Sequence, residues 1–128
     1  MTDVNPIDIL DELYEHAAEI DSLSKRQANV ERQLEPVELE YERFVTAFEQ
    51  GLWVKHLEGE KFPPEKLRMR LAHQQMPPPL LGSYTSLHAE RKRIEKRISA
   101  LKMTVEAKRS ILSALKLEAE AAGSGLRR

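Results

Sequence analysis

Residues 84–122 read YTSLHAERKRIEKRISALKMTVEAKRSILSALKLEAEAA. Tyr84, Leu87, Arg91, Ile94, Ile98, Leu101, Val105, Lys108, Leu112, Leu115, Ala119 and Ala122 recur in alternating steps of three and four. On a helix that spacing draws one stripe, the a and d positions of a heptad, which has to pack against another helix. A second such stripe lies upstream. Leu13, Ile20, Gln27, Leu34, Tyr41 and Phe48 take its a positions, and His16, Leu23, Val30, Val37 and Phe44 its d positions. Two long seams in one chain predict an all-α fold, a long antiparallel helical hairpin of coiled-coil type with a short helix in the connection.

Helix signals set the boundaries of a single module over 1–128. Asn5 is a cap, Pro6 suits the first helical position, and Asp8 lies near the positive helix end. The first helix is expected over 6–58, kinked or broken near Pro36, where a backbone donor is missing. Gly59 and Phe62-Pro63-Pro64 stop it. The connection covers 59–82, ends in Pro77-Pro78-Pro79, and holds a short helix over 64–75. The basic last helix is expected over 83–122, followed by a flexible tail, 123–128, that ends in Arg127-Arg128.

Charge orients the pair. Residues 1–50 carry thirteen acidic and four basic side chains, a balance of −9, while 83–116 carry nine basic and three acidic, a balance of +6. Branched a residues with Leu at d ordinarily favour parallel self-pairing, but that would set Glu90 against Glu95 and Arg97 against Lys102. Antiparallel packing instead brings Glu31 to Arg109, Glu38 to Lys102 and Glu40 to Arg97, all attractive. A lone two-helix hairpin is marginal. A second stripe on the last helix, Ala100, Ala107, Ile111, Ala114 and Leu117, therefore predicts a homodimer.

Candidate functional residues fall in two places. Near the turn, Trp53, Leu57, Phe62, Leu67, Leu71, Leu80 and Leu81 accompany the seam aromatics Tyr41, Phe44, Phe48 and Tyr84. They predict an apolar head that either closes the hairpin or receives a protein partner. On the last helix Arg91, Lys92, Arg93, Lys96, Arg97 and Lys102 form a basic run. It either tracks nucleic-acid phosphates or faces the acidic helix. Against the first reading stand a pI near 6.4 and the lack of interleaved aromatics.

Other chemistry finds no support. His16, His56, His73 and His88 lack partners at metal-ligand spacing, and Gly51, Gly59 and Gly82 form no phosphate loop. No nucleophile has a recognisable base, so neither a catalytic residue nor a cofactor is expected. Charged residues make up 32% and aromatics 5%, a long-helix bias, and cysteine is absent, as suits a reducing compartment. Met1–Leu10 lacks a signal-peptide pattern and no run of about 18 apolar residues occurs, so the expected location is cytoplasmic, off the membrane.

The stretch Leu80-Leu81-Gly82-Ser83-Tyr84, followed by Arg91-Lys92-Arg93-Ile94-Glu95-Lys96-Arg97-Ile98-Ser99-Ala100-Leu101-Lys102, resembles the C-terminal helix of small helical accessory proteins encoded by bacteriophages. The resemblance covers less than half of the chain and supplies no catalytic residues. It implies an accessory protein inside a bacterial cell that acts in phage DNA metabolism or on a host protein. The expected role is a non-enzymatic coiled-coil adaptor or inhibitor that self-associates and binds a protein. The alternatives are a nucleic-acid-binding accessory factor and a passive structural coiled coil.

Overall fold

Periodicity of this kind yields helices, and the computed structural model, which describes residues 5–126, contains three: α1 (Pro6–Leu57), α2 (Glu65–Gln75) and α3 (Pro78–Leu126). No strand occurs among the described residues. α1 and α3 pack on each other as a helical hairpin. Within the chain, contacts gather into two compact units. The first joins the chain up to Gln27 with the chain from Arg93 onward, and the second is Ala28–Lys92.

Start and stop signals of α1 act as read. Asn5 Oδ1 accepts from Ile7 N at 2.9 Å, satisfying one of the four free donors at the helix start. At the far end Glu60 N donates to Lys55 O and Gly59 N to His56 O, both at 3.0 Å. That is a Schellman cap, and it needs the left-handed backbone of Gly59, φ 102°.

Pro36 does not break α1, which is one helix from Pro6 to Leu57. The proline occupies an outer heptad position, c, and is exposed. The carbonyl it leaves without a donor belongs to Arg32, at f on the same exposed side of the helix, so the lost bond is not buried.

The proline triplet opens a helix instead of closing the connection. α3 starts at Pro78, not Ser83, with Leu80 N and Leu81 N reaching back to Pro77 O at 3.0 and 3.1 Å. First-turn residues have no intrahelical acceptor for their N–H, so prolines suit those positions. Gly82 and Ser83 lie inside the helix. Gly123 to Leu126 continue it where a flexible tail was expected; Arg127 and Arg128 lie outside the described residues.

Both seams are in use. In the first unit Ile9, Leu23, Ile94, Ile98 and Leu101 are buried; in the second, Val30, Leu34 and Tyr41. Leu13, Ile20, Phe44, Phe48, Leu87, Val105, Leu112 and Leu115 are half-buried, whereas Ala119 and Ala122 are exposed. The buried set also includes Ala72 and Met76, the last turn and C-cap of α2, which the heptad reading passed over.

Gly51, inside α1, has nothing within 4 Å of where a Cβ would stand, so Gly51→Ala should stabilise by about 0.5–1 kcal/mol through helix propensity. Gly59→Ala should destabilise by about 1–2 kcal/mol, because the cap requires positive φ. Urea denaturation monitored by circular dichroism measures both. Equal effects of the same sign would contradict the α1 boundary.

Candidate partner-binding surfaces

At the turn, a ring stack grows from the α1 cap. The Schellman turn brings Phe62 back onto Trp53, with centroids 4.2 Å apart and planes 27° apart, and His56 stands edge-on to Trp53 at 5.7 Å. His56 Nδ1 lies 2.9 Å from Glu60 O, tying the same turn. From α2, Arg68 holds its guanidinium carbon 4.8 Å from the Phe62 centroid and donates through Nη1 to Pro63 O at 2.9 Å. Glu49 is 3.8 Å from Arg68 Nε, beyond hydrogen-bond range.

Trp53 is thus held on one side and open on the other. It keeps 52% of its surface, Val54 56% and Leu57 84%. Five of the residues named at the turn, Trp53, Leu57, Phe62, Leu67 and Leu71, therefore divide. Phe62 is half-buried in the stack, and Leu71 half-buried beside a cleft of about 450 Å³ with Phe48, Gly51 and Leu52. Leu57 and Leu67 stay exposed and do not join a closed apolar head, since α1 ends at Leu57 with its side facing solvent.

Beside the stack lies a polar line that sequence reasoning missed. Tyr41 and Tyr84 stack at 3.7 Å and 5°, and Tyr41 Oη shares a 2.6 Å hydrogen bond with His73 Nε2 on α2. Burial pushes the Tyr41 phenol above its ordinary value of 10, and the neighbouring Tyr84 adds to this. Arg91 Nη2 donates to His88 Nδ1 at 3.3 Å, and His88 Nε2 lies 3.0 Å from Glu38 Oε1 without hydrogen-bond geometry. A Tyr at a and a His on the short helix were legible residue by residue. Their pairing needed the position of α2.

The basic run is divided as well. Arg97 makes a forked contact with Glu19, Nε to Oε1 at 3.0 Å and Nη2 to Oε2 at 3.3 Å, and Arg91 is half-buried beside His88. Lys92, Arg93, Lys96 and Lys102 are exposed.

Partner choice differs from the charge-based expectation. Arg97 meets Glu19 instead of Glu40, three heptads away along α1, and Glu38 meets His88 instead of Lys102, two heptads away along α3. Kinds of position are kept, g with g and e with e. The slip follows from α2: Glu49 approaches Arg68, and Phe48 and Leu52 share a cleft with Leu71, so the last turns of α1 face α2 and α3 starts farther back.

Lys108, at d, is a charged seam residue of the first unit, as Arg91, at a, is of the second. Its Nζ donates to Glu12 Oε2 and to His16 Nε2, each at 2.7 Å. A lysine ammonium can only donate, so His16 Nε2 is the accepting ring nitrogen. The Lys108 hydrogen bond and charge hold the Glu12 carboxyl below its ordinary value of 4.5.

A raised phenol in the folded state means stability that is complete below about pH 10 and is lost as pH climbs through the folded value of Tyr41. Absorbance titration should show one late-ionising tyrosine, absent in Tyr41→Phe. Identical titration curves for the two proteins would contradict the stacked, hydrogen-bonded placement.

No group of three or more His, Asp or Glu side chains among the described residues is placed to hold a metal, and no described helix is long and apolar enough to cross a membrane. Comparison with protein-family models, with curated proteins and with solved structures gives no match.

Proposed function

We propose that this protein is a non-enzymatic interaction module, an adaptor or inhibitor, that receives a protein partner on the apolar surface at the end of α1. One observation carries the reading: Trp53 is fixed by Phe62 at 4.2 Å yet half exposed, with Val54 and Leu57 exposed next to it. An aromatic already held in place loses little side-chain freedom on binding, and large aromatic side chains in partly enclosed positions dominate interface energies. The cleft opened by the missing side chain of Gly51 lies on the same stretch of α1.

A second reading, nucleic-acid binding through α3, draws on the exposure of Lys92, Arg93 and Lys96. Those cations would neutralise phosphates and give a salt-dependent affinity. With Arg91 and Arg97 already engaged, the run offers fewer charges than its sequence suggested.

Capture from host lysate, with and without nuclease, separates the two readings. The first predicts a partner that survives nuclease, survives charge reversal at Arg93 and Lys96, and binds Trp53→Ala with a loss of about 2 kcal/mol, roughly thirtyfold in Kd. Capture that vanishes with nuclease would replace it with the second.

A further inference from the structure

The first unit has an apolar groove of its own, about 420 Å³, walled by Leu10, Tyr14 and Ala17 of α1 and by Val105 and Arg109 of α3. Ile7, Leu10, Tyr14 and Ala17 are spaced three, four and three, which makes a second stripe on α1 beside its seam. It is uncovered: Ile7 keeps 65%, Leu10 45% and Tyr14 75% of its surface.

Charges around the groove are sorted by helix. On α3, Lys102, Arg109 and Lys116 recur every seven residues and so share a face. All three are exposed, and none pairs with an acid in the described chain. Lys102 and Arg109 are the cations that charge counting gave to Glu38 and Glu31. On α1, Asp8, Asp11 and Glu15 border the apolar stripe and are likewise exposed and unpaired. An occupant that suits this groove presents an apolar helical stripe with acids along its edge. The outer face of α1 itself has that composition.

We infer that a second copy of this chain fills the groove, so that the Ile7–Ala17 stripes of two copies pack together. The Asp8, Asp11 and Glu15 border of each copy then lies along the Lys102, Arg109 and Lys116 rim of the other. Two hairpins joined this way form a four-helix arrangement, which buries apolar surface that one hairpin leaves in water. Opposite charges along the border select the partner and its register more than they add affinity. This surface shares no residue with the one around Trp53, so Trp53→Ala should leave self-association unchanged whichever way the turn-end reading falls.

Sedimentation of the full chain tests it. The expected result is a dimer at tens of micromolar that weakens as salt rises, as for any contact steered by exposed charges. Leu10→Asp with Tyr14→Asp should give a monomer with unchanged helicity. Asp11→Arg alone and Arg109→Asp alone should each weaken the dimer about tenfold, and the two reversals in one chain should restore it, because each copy again meets opposite charge. If the aspartate pair lowers helicity, the charge swap decides. A wild-type monomer at about 100 µM, a dimer indifferent to the aspartate pair in helical protein, or a swap without restoration would each overturn the inference. The second outcome would move the contact to another face, such as Ala100, Ala107 and Ala114 on α3.

Discussion

A lysine in an apolar seam must find acceptors where its nitrogen ends up, or the helices will shift until it does. Lys108 finds two, Glu12 and His16, each at 2.7 Å. Glu12 stays half exposed and Lys108 is only half-buried, so the contact fixes where the two helices meet more than it adds stability. Leu and Ile at neighbouring layers tolerate a slide of one heptad, and Glu19 could then stand in for Glu12, but Leu23 or Ile9 would replace the His16 acceptor. The Arg97 fork to Glu19 reinforces the same setting two to three turns away. In the second unit, where no seam lysine exists, the Tyr41–Tyr84 stack and the Tyr41–His73 hydrogen bond set the register.

Why the sequence revealed the seam but not its setting follows from this. Every a and d residue from Ile9 to Phe48 and from Tyr84 to Leu115 is buried or half-buried, because a stripe of period 3.5 has one packed side whatever lies opposite. A slide of whole heptads preserves each assignment, so Glu40 and Glu19 are equivalent g positions for Arg97 until something else chooses. α2 and the polar seam residues choose. Their contribution could not be read from periodicity, since Arg68, His73 and Met76 act through the place α2 takes against α1.

Local rules misled where two of them competed. Pro36 signals a break, yet at an outer position its missing donor and the orphaned Arg32 carbonyl both face water, and the seam on the other side continues through Val37 and Tyr41. Pro77-Pro78-Pro79 signals a loop, yet the first turn of a helix needs none of those donors. In the candidate site Trp53 and Phe62 were legible as a pair close to a chain reversal. Exposure of Leu57 and Leu67 was not, because whether an apolar residue near a turn is covered depends on where the following helix lies.

Interaction surfaces on this scaffold are what the seams leave over. Apolar residues off the a and d stripe, Trp53 and Val54 at one helix end and Ile7, Leu10 and Tyr14 at the other, stay about half exposed or more, Trp53 despite its stack on Phe62. Charges follow the same logic, with Glu12, Glu19 and Glu38 spent on register while Asp8, Asp11 and Glu15 are left over.

The register itself is most directly tested by nuclear Overhauser contacts in a sample labelled at its three tyrosines. Cross-peaks between the rings of Tyr41 and Tyr84, together with contacts from the Lys108 ε-methylene to the His16 ring, are what this account predicts. Cross-peaks from Tyr41 to the Arg97 side chain, with none to Tyr84, would show the helices set two heptads away and contradict it.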